Sequence, residues 1–372
     1  MRKLLRYLFL KPILRFNERY SSRPDRTRVF AALSALLTCI LDGDKKKGLL
    51  LPFEAGTEKF IIFSDMHKGA RNGADDFAVC ASSYLTALEY YYENGFQFIA
   101  LGDSEELWEN TLSAIKKNQQ ATFELEKKFL PKNAFIKIFG NHDLQWGNDP
   151  LASFQLKDLY GCAVPIYEGV VLQATINGTS VKIYCTHGHQ GDAVSDGNWF
   201  SKFFVAKIWA PFQSYLRINP NTPAFNDHLK SAHNTMMYEW SAAQPDGLIL
   251  ITGHTHQPVF ESLTHIERLY RQLLFARQQN DASMIATLEK EIADRKMKYS
   301  HISDNYIKLK PSYFNSGCCC FDNGGITGIE ISGGVLRLIQ WKAQEDKGMP
   351  VRAILDETPL NELVEKLKAT KA

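Results

Sequence analysis

The stretch ILITGHTHQPV, Ile249 to Val259, ends a run of apolar residues on a glycine and two histidines, His254 and His256. The run has the length and β-branched content of a buried strand. A lone histidine after such a strand reads as a satisfied core residue, but two at this spacing ask for a shared partner. Partners stand at the ends of similar runs elsewhere. KFIIFSDMH delivers Asp65 and His67, FQFIALGD delivers Asp103, FIKIFGNHD delivers Asn141, His142 and Asp143, and VKIYCTHGH delivers His187 and His189. Asp65 to Asp103 and Asp103 to Asn141 are each 38 residues, the length of one strand–helix unit. Helical patterns such as FAVCASSYLTALEYYYENG, with a terminal glycine, lie between. The alternation predicts an α/β core. In such a core the carboxyl ends of successive strands converge on one crevice, and six of the ten histidines fall in these segments.

The chain has 372 residues, room for one large domain with embellishments or two ordinary ones. With 45% hydrophobic and 23% charged residues it has the composition of a globular protein with a sizeable core. A net charge of +2 argues against a specific nucleic-acid binder held by bulk electrostatics. Seven cysteines without a C-x-x-C pair form neither a disulfide framework nor a zinc-finger pattern, so a cytoplasmic location is expected. In MRKLLRYLFLKPILRF, Arg6, Lys11 and Arg15 interrupt any signal-peptide core. The segment reads as a packing extension, with a peripheral membrane contact as the alternative. VFAALSALLTCIL, from Val29 to Leu41, is too short to span a bilayer and predicts a packed helix.

These patterns divide the chain into an N-terminal helical extension (1–56), a central domain (57–345) and a C-terminal tail (346–372). Two inserts interrupt the domain. Residues 198–243, containing NWFSKFFVAKIWAPFQSYL, predict a helical lid, and residues 264–300 predict a charged helical hairpin with a break at QNDAS. The hairpin's charges are expected to solvate an exposed face.

Carboxylate, amide and imidazole donors suit manganese, iron or zinc, and no thiolate in these motifs favours a softer ion. Asp65, His67, Asp103, Asn141, His187, His254 and His256 exceed the needs of one divalent ion and fit two that share a bridge. Two ions about 3.5–4 Å apart can clamp the attacking and leaving oxygens of a phosphoryl displacement.

The succession D-x-H, GD, GNHD, HG and GHTH, complete and in order from Asp65 to His256, resembles the calcineurin-like metallophosphoesterases. The resemblance extends over about Lys59 to Trp341. It implies a four-layer α/β/β/α sandwich of two mixed sheets, with SYFNSGC, GITGIEI and GVLRLIQW completing the second sheet. It also implies a metal-dependent phosphoesterase acting on a small phosphorylated substrate through a water activated by two divalent ions. Asp65, His67 and His256 would hold the first ion, Asn141, His187 and His254 the second, and Asp103 would bridge them. His142 would act as acid at the leaving oxygen or steady the phosphoryl charge. By similarity to the family's protein phosphatases, Glu106 would orient His142. The aromatic insert and the pattern GD..E.W resemble the UDP-diacylglucosamine pyrophosphatases, which usually carry arginine where this chain has His142. A nucleotide-linked pyrophosphatase is therefore the second reading, and an inactive scaffold of the same fold the third.

Neighbouring residues have plainer readings. Asp143 is expected to serve a structural hydrogen bond, with a catalytic role as the alternative, and Lys68 and Arg71 to be solvated loop cations, with phosphate contact as the alternative. His189 is left open between a place near the second ion and the surface. Cys318, Cys319 and Cys320 are expected to be small buried residues on alternating faces. His228 and His233 are solvated or packed residues of the lid, with reach to substrate as the alternative.

Overall fold

The computed structural model describes residues 25–73, 75–191, 227–245, 247–296, 309–343 and 348–369. Two seven-stranded sheets face each other. The first runs β1 (Gly48–Pro52), β6 (Gly169–Ile176), β7 (Thr179–Thr186), β8 (Leu248–Thr252), β11 (Tyr313–Asn315), β9 (Val259–Phe260), β10 (Leu263–Thr264). The second runs β14 (Val351–Pro359), β13 (Val335–Lys342), β12 (Ile326–Ser332), β2 (Phe60–Phe63), β3 (Gln97–Leu101), β4 (Phe135–Ile138), β5 (Ile166–Tyr167). Both are mixed. β2 to β5 pair in parallel, whereas β12, β13 and β14 pair antiparallel.

Continuous apolar runs follow from burial on both faces of a strand. Phe60 and Ile62 of β2 enter the core between the sheets, where they join Ile99, Val170, Ile183 and Ile249. Ile61 and Phe63 point the other way, into a core with Tyr84, Leu88 and Tyr91 of the helix Ala81–Glu93 and Phe123 of the helix Gln120–Lys127. On the far side of the first sheet, Tyr184 and Leu250 pack against the helices Arg26–Leu41 and Asp227–Ala242. The order is helix, sheet, sheet, helix, as expected, but SYFNSGC supplies β11 of the first sheet, pairing with β8, whereas GITGIEI and GVLRLIQW lie in the second.

Both ends of the described chain pack onto the sheets. The helix Arg26–Leu41 buries Val29, Leu33, Leu36, Leu37 and Ile40, a stripe at helical spacing, against the first sheet. Asp25 caps it by accepting from the Arg28 amide at 2.9 Å. β1 then pairs in parallel with β6. At the other end β14 pairs with β13, and the helix Leu360–Ala369 buries Leu360, Leu363, Val364 and Leu367 in the inter-sheet core. Residues 26–52 and 351–369 are thus parts of the sandwich. β14 reads as a tail because an edge strand keeps little of its surface buried; Val351, Ile354 and Leu355 are exposed.

The charged hairpin is two helices, His265–Gln278 and Ala282–Lys296, packed on each other through Ile266, Leu269, Leu273, Leu288 and Ile292. Arg268 ties it to the body through Asp356 at 2.8 Å. Of the lid insert, the structure describes the helix Asp227–Ala242, whose Met237 and Trp240 pack on the first sheet. The aromatic stretch with Trp199 and Phe203, the side chain of His228, and the N-terminal segment considered for membrane contact lie outside the described residues. Among the described residues no helix is long and apolar enough to cross a membrane.

Candidate metal centre

Each candidate ligand follows its strand within a few residues, and the backbone there is unusual. Asp65, His67, Asp103, His254 and His256 all have positive φ, between 49° and 68°. That region is costly for residues with a Cβ and persists only where surroundings enforce it. The enforcing contacts are visible: the Asp65, His67 and Lys68 amides donate to the carbonyls of Gly102, Asp103 and Ser104 at 2.9–3.1 Å. The two loops after β2 and β3 are thereby zipped together. Close approach also demands glycine. A Cβ on Gly102 (φ 84°) would lie 2.6 Å from the His187 ring, and one on Gly140 would collide with the Asp103 carboxylate.

The seven residues converge. Asp103 Oδ2 lies 3.1 Å from His187 Nε2 and 3.7 Å from His67 Nε2. Asp65 Oδ1 lies 3.2 Å from His256 Nε2, 3.8 Å from His67 Nε2 and 4.0 Å from His187 Nε2. Asn141 Oδ1 is 3.2 Å from His187 Nε2. His254 joins Asp103 and His187 in a group whose ligand atoms lie within 4.8 Å of one another, and its amide donates to Asp65 Oδ2 at 2.9 Å. His67 also groups with Asp103 and His142, and separately with His256 and Cys320.

The donor set fits divalent cations on two further grounds. Asp65 Oδ1 is fully buried yet takes no hydrogen bond, an expensive state for a carboxylate oxygen. The Nε2 atoms of His67 and His256 face each other at 3.2 Å while their Nδ1 atoms face Glu106 Oε2 at 2.9 Å and Cys320 Sγ at 3.6 Å. With protons on Nδ1, two lone pairs point into one space, which suits a cation between them. Without one, protons take its place. Burial alone would depress the His187 ring, but the Asp103 and Asp65 carboxylates carry it to about 9. His256, opposed by burial and raised chiefly by Asp65, also reaches about 9. Burial works against ionised Asp65 and Asp103 too, yet the surrounding imidazoles hold both below the usual carboxylate range.

His142 lies beside this cluster. Its Nδ1 is 2.7 Å from Glu106 Oε2, its amide donates to Asp103 Oδ1 at 2.8 Å, and Trp108 stacks on its ring at 4.2 Å. Glu106 therefore contacts His142 as expected and His67 as well, a second partnership that spacing did not reveal. Asp143 accepts from the amides of Gly140 at 2.6 Å and Ser104 at 2.8 Å, the structural use expected of it. His189 is buried, 5.5 Å ring to ring from His187, and burial next to that ring lowers it to about 3. His233 is buried as well; its Nε2 meets the Gly188 carbonyl at 2.8 Å and its ring lies 5.0 Å from that of His254.

Lys68 corrects its reading as a solvated cation. It is fully buried between Glu126 at 2.7 Å and Glu105 at 3.1 Å, and Lys137 joins Glu105 at 2.9 Å. Arg71 is exposed and donates to the Ala78 carbonyl and Gln119. Cys318 and Cys319 are buried, but Cys320 is half-buried against His256. The three cysteines follow β11 (Tyr313–Asn315) rather than lying in a strand, so the expected strict alternation does not set their faces.

A comparison with individually curated proteins returned no match. The family of calcineurin-like phosphoesterases matches residues 58–258, a span that opens just before Asp65 and closes just after His256. With more than half its length so matched and the candidate ligands gathered in one crevice, the chain belongs to the calcineurin-like phosphoesterases.

Proposed function

We propose that this metal-dependent phosphoesterase works with two divalent ions, manganese, iron or zinc, sharing Asp103. Asp65, His67 and His256 would hold one ion and Asn141, His187 and His254 the other. The observation that carries this reading is the pair of inward carboxylates, Asp65 and Asp103, each within 4 Å of ring nitrogens from both sheets. When bound, the ions supply Lewis acidity and activate water for attack on phosphorus.

The chain's own groups do the rest. His142 gives its Nδ1–H to Glu106, which leaves Nε2 free to carry a proton to the departing oxygen. Trp108, stacked on the ring, restricts it to that orientation. Glu106 accepts a second hydrogen bond from His67 Nδ1–H, so one carboxylate orients both the acid and a metal-holding ring. Asp143 fixes the turn that carries Asn141 and His142 by collecting the amides around it.

The substrate would be a small phosphorylated molecule. Elemental analysis of the purified chain, followed by assay of an aryl phosphate monoester, an aryl diester and a nucleotide-sugar pyrophosphate, tests the reading. Two equivalents of metal with hydrolysis of an ester support it. Preference for the pyrophosphate would move the assignment to the nucleotide-linked reading. Metal uptake with no hydrolysis across the panel would favour the scaffold.

A further inference from the structure

Three imidazoles of the centre, His67, His187 and His256, share one arrangement, with one nitrogen facing inward and the other committed outside. His67 commits Nδ1 to Glu106 Oε2 at 2.9 Å, and His187 commits Nδ1 to the Leu101 carbonyl at 2.9 Å. An outer partner of this kind fixes which nitrogen carries the proton and how the ring is turned. For His256 the inward atom is Nε2, 3.2 Å from both Asp65 Oδ1 and His67 Nε2. Among the described residues its Nδ1 meets no carboxylate and no carbonyl. It meets a sulfur, Cys320 Sγ, at 3.6 Å, a normal separation for a bond to sulfur. Cys318 also interacts with the ring and with Cys320. Cys319, between them, is turned away into the core beneath the helices.

We infer that Cys320, supported by Cys318, is a positioning residue for His256. The thiol accepts the Nδ1–H, which holds the Nε2 lone pair toward Asp65 and the ion that Asp65, His67 and His256 would share. The inference rests on the two-ion reading above and adds residues that none of the metal motifs contains. It also gives the run of three cysteines a division of labour: the outer two face the centre and the middle one packs. A thiol accepts more weakly than a carboxylate, so His256 is held less firmly than His67, and the ion beside it depends on a group that can be removed without touching any ligand.

The test is equilibrium dialysis of the full chain against Mn²⁺, with Co²⁺ as a spectroscopic probe of the coordination geometry. Cys320→Ala should weaken one of two bound ions by about 10–100-fold, the range for loss of an outer partner. The second ion and the melting temperature should be unchanged. Cys320→Ser, whose hydroxyl can accept the same N–H, should recover most of the affinity and the Co²⁺ spectrum. Cys319→Ala, on the opposite face, should leave both as in the wild type. Wild-type affinity in the Cys318→Ala/Cys320→Ala double variant overturns the inference, and so does a Cys320→Ser variant no better than Cys320→Ala. An equal loss in Cys319→Ala overturns it too, since packing alone would then explain the effect. A wild-type chain that takes up no divalent ion overturns instead the two-ion reading, and this inference with it.

Discussion

The two sheets bring unlike chemistry to one crevice. Strands β2, β3 and β4 lead to its carboxylates, Asp65 and Asp103, with Glu106 behind them; β7 and β8 lead only to imidazoles, His187, His189, His254 and His256. The acid side is rigidly braced. Asp143 collects its backbone amides, and behind it Lys68, Lys137, Glu105 and Glu126 form a buried network closed by Trp146, Tyr84 and Tyr160. The imidazole side has lighter supports, such as the Leu101 carbonyl and a thiol. Its rings also divide. His187 and His256, against the carboxylates, rise to about 9, whereas burial among other rings drives His254 well below its ordinary value. One residue type is therefore pushed in opposite directions, upward where carboxylates dominate and downward where burial and neighbouring rings do. The acid side sets the demand for positive charge, and the imidazole side answers it.

The largest effect should come from the centre of the acid side. Asp103→Ala removes the carboxylate nearest both groups of rings, so activity should fall to background and most of the metal should leave together. Full metal content by elemental analysis would break the bridging assignment. His142→Ala should keep both ions and lower turnover by about 10²–10⁴, the usual worth of a positioned acid. The loss should shrink for nitrophenyl phosphates, whose leaving oxygen needs little protonation. An equal loss on alkyl phosphates and nitrophenyl phosphates would remove the acid role.

The halves were not equally legible in the sequence. The four layers and the clustering of the candidate ligands could be read because strands buried on both faces leave continuous apolar runs, and the chemistry stands at their ends. What lies over a loop leaves no such trace. Lys68 looks like any loop cation until Glu126, 58 residues on, comes to lie against it. Burying such a pair contributes little net stability, so composition gave no reason to expect it. β1 and β14 were missed for a related reason: each lies at a sheet edge, where the solvent-facing side dilutes the strand pattern. The hairpin was easier because its two helices bury each other and its pattern is local.

A smaller effect follows from Glu106, which touches both the acid and a metal-holding ring. Glu106→Gln keeps the volume and one acceptor oxygen but removes the negative charge that both Nδ1–H groups share at Oε2. Metal affinity and turnover should each fall by about 10–100-fold, as for other outer partners of metal-holding histidines. If only turnover falls, Glu106 serves His142 alone, and the acid side is less unified than its geometry implies.

The smallest effect is a pH dependence, and it tests the division among the rings directly. In the metal-free protein His187 and His256 are raised from 6.5 to about 9. For a raised group the stabilisation is fully present below 6.5 and is lost as pH climbs through about 9. An ion entering between these limits must displace the protons, because each inward nitrogen offers either a proton or a lone pair. Apparent affinity should therefore rise about tenfold per pH unit for each proton displaced, and level off only once the raised rings, His67 among them, have lost their protons. His254, already neutral, should contribute nothing to that slope. Calorimetric titration with Mn²⁺ at pH 7.5, in buffers of different ionisation enthalpy, counts the protons released. Replacing His187 by Gln should reduce the count by one, whereas replacing His254 should leave it unchanged. A flat affinity between pH 6.5 and 9, or a count that falls with His254 instead, would mean that the carboxylates do not govern the charge of the imidazole side.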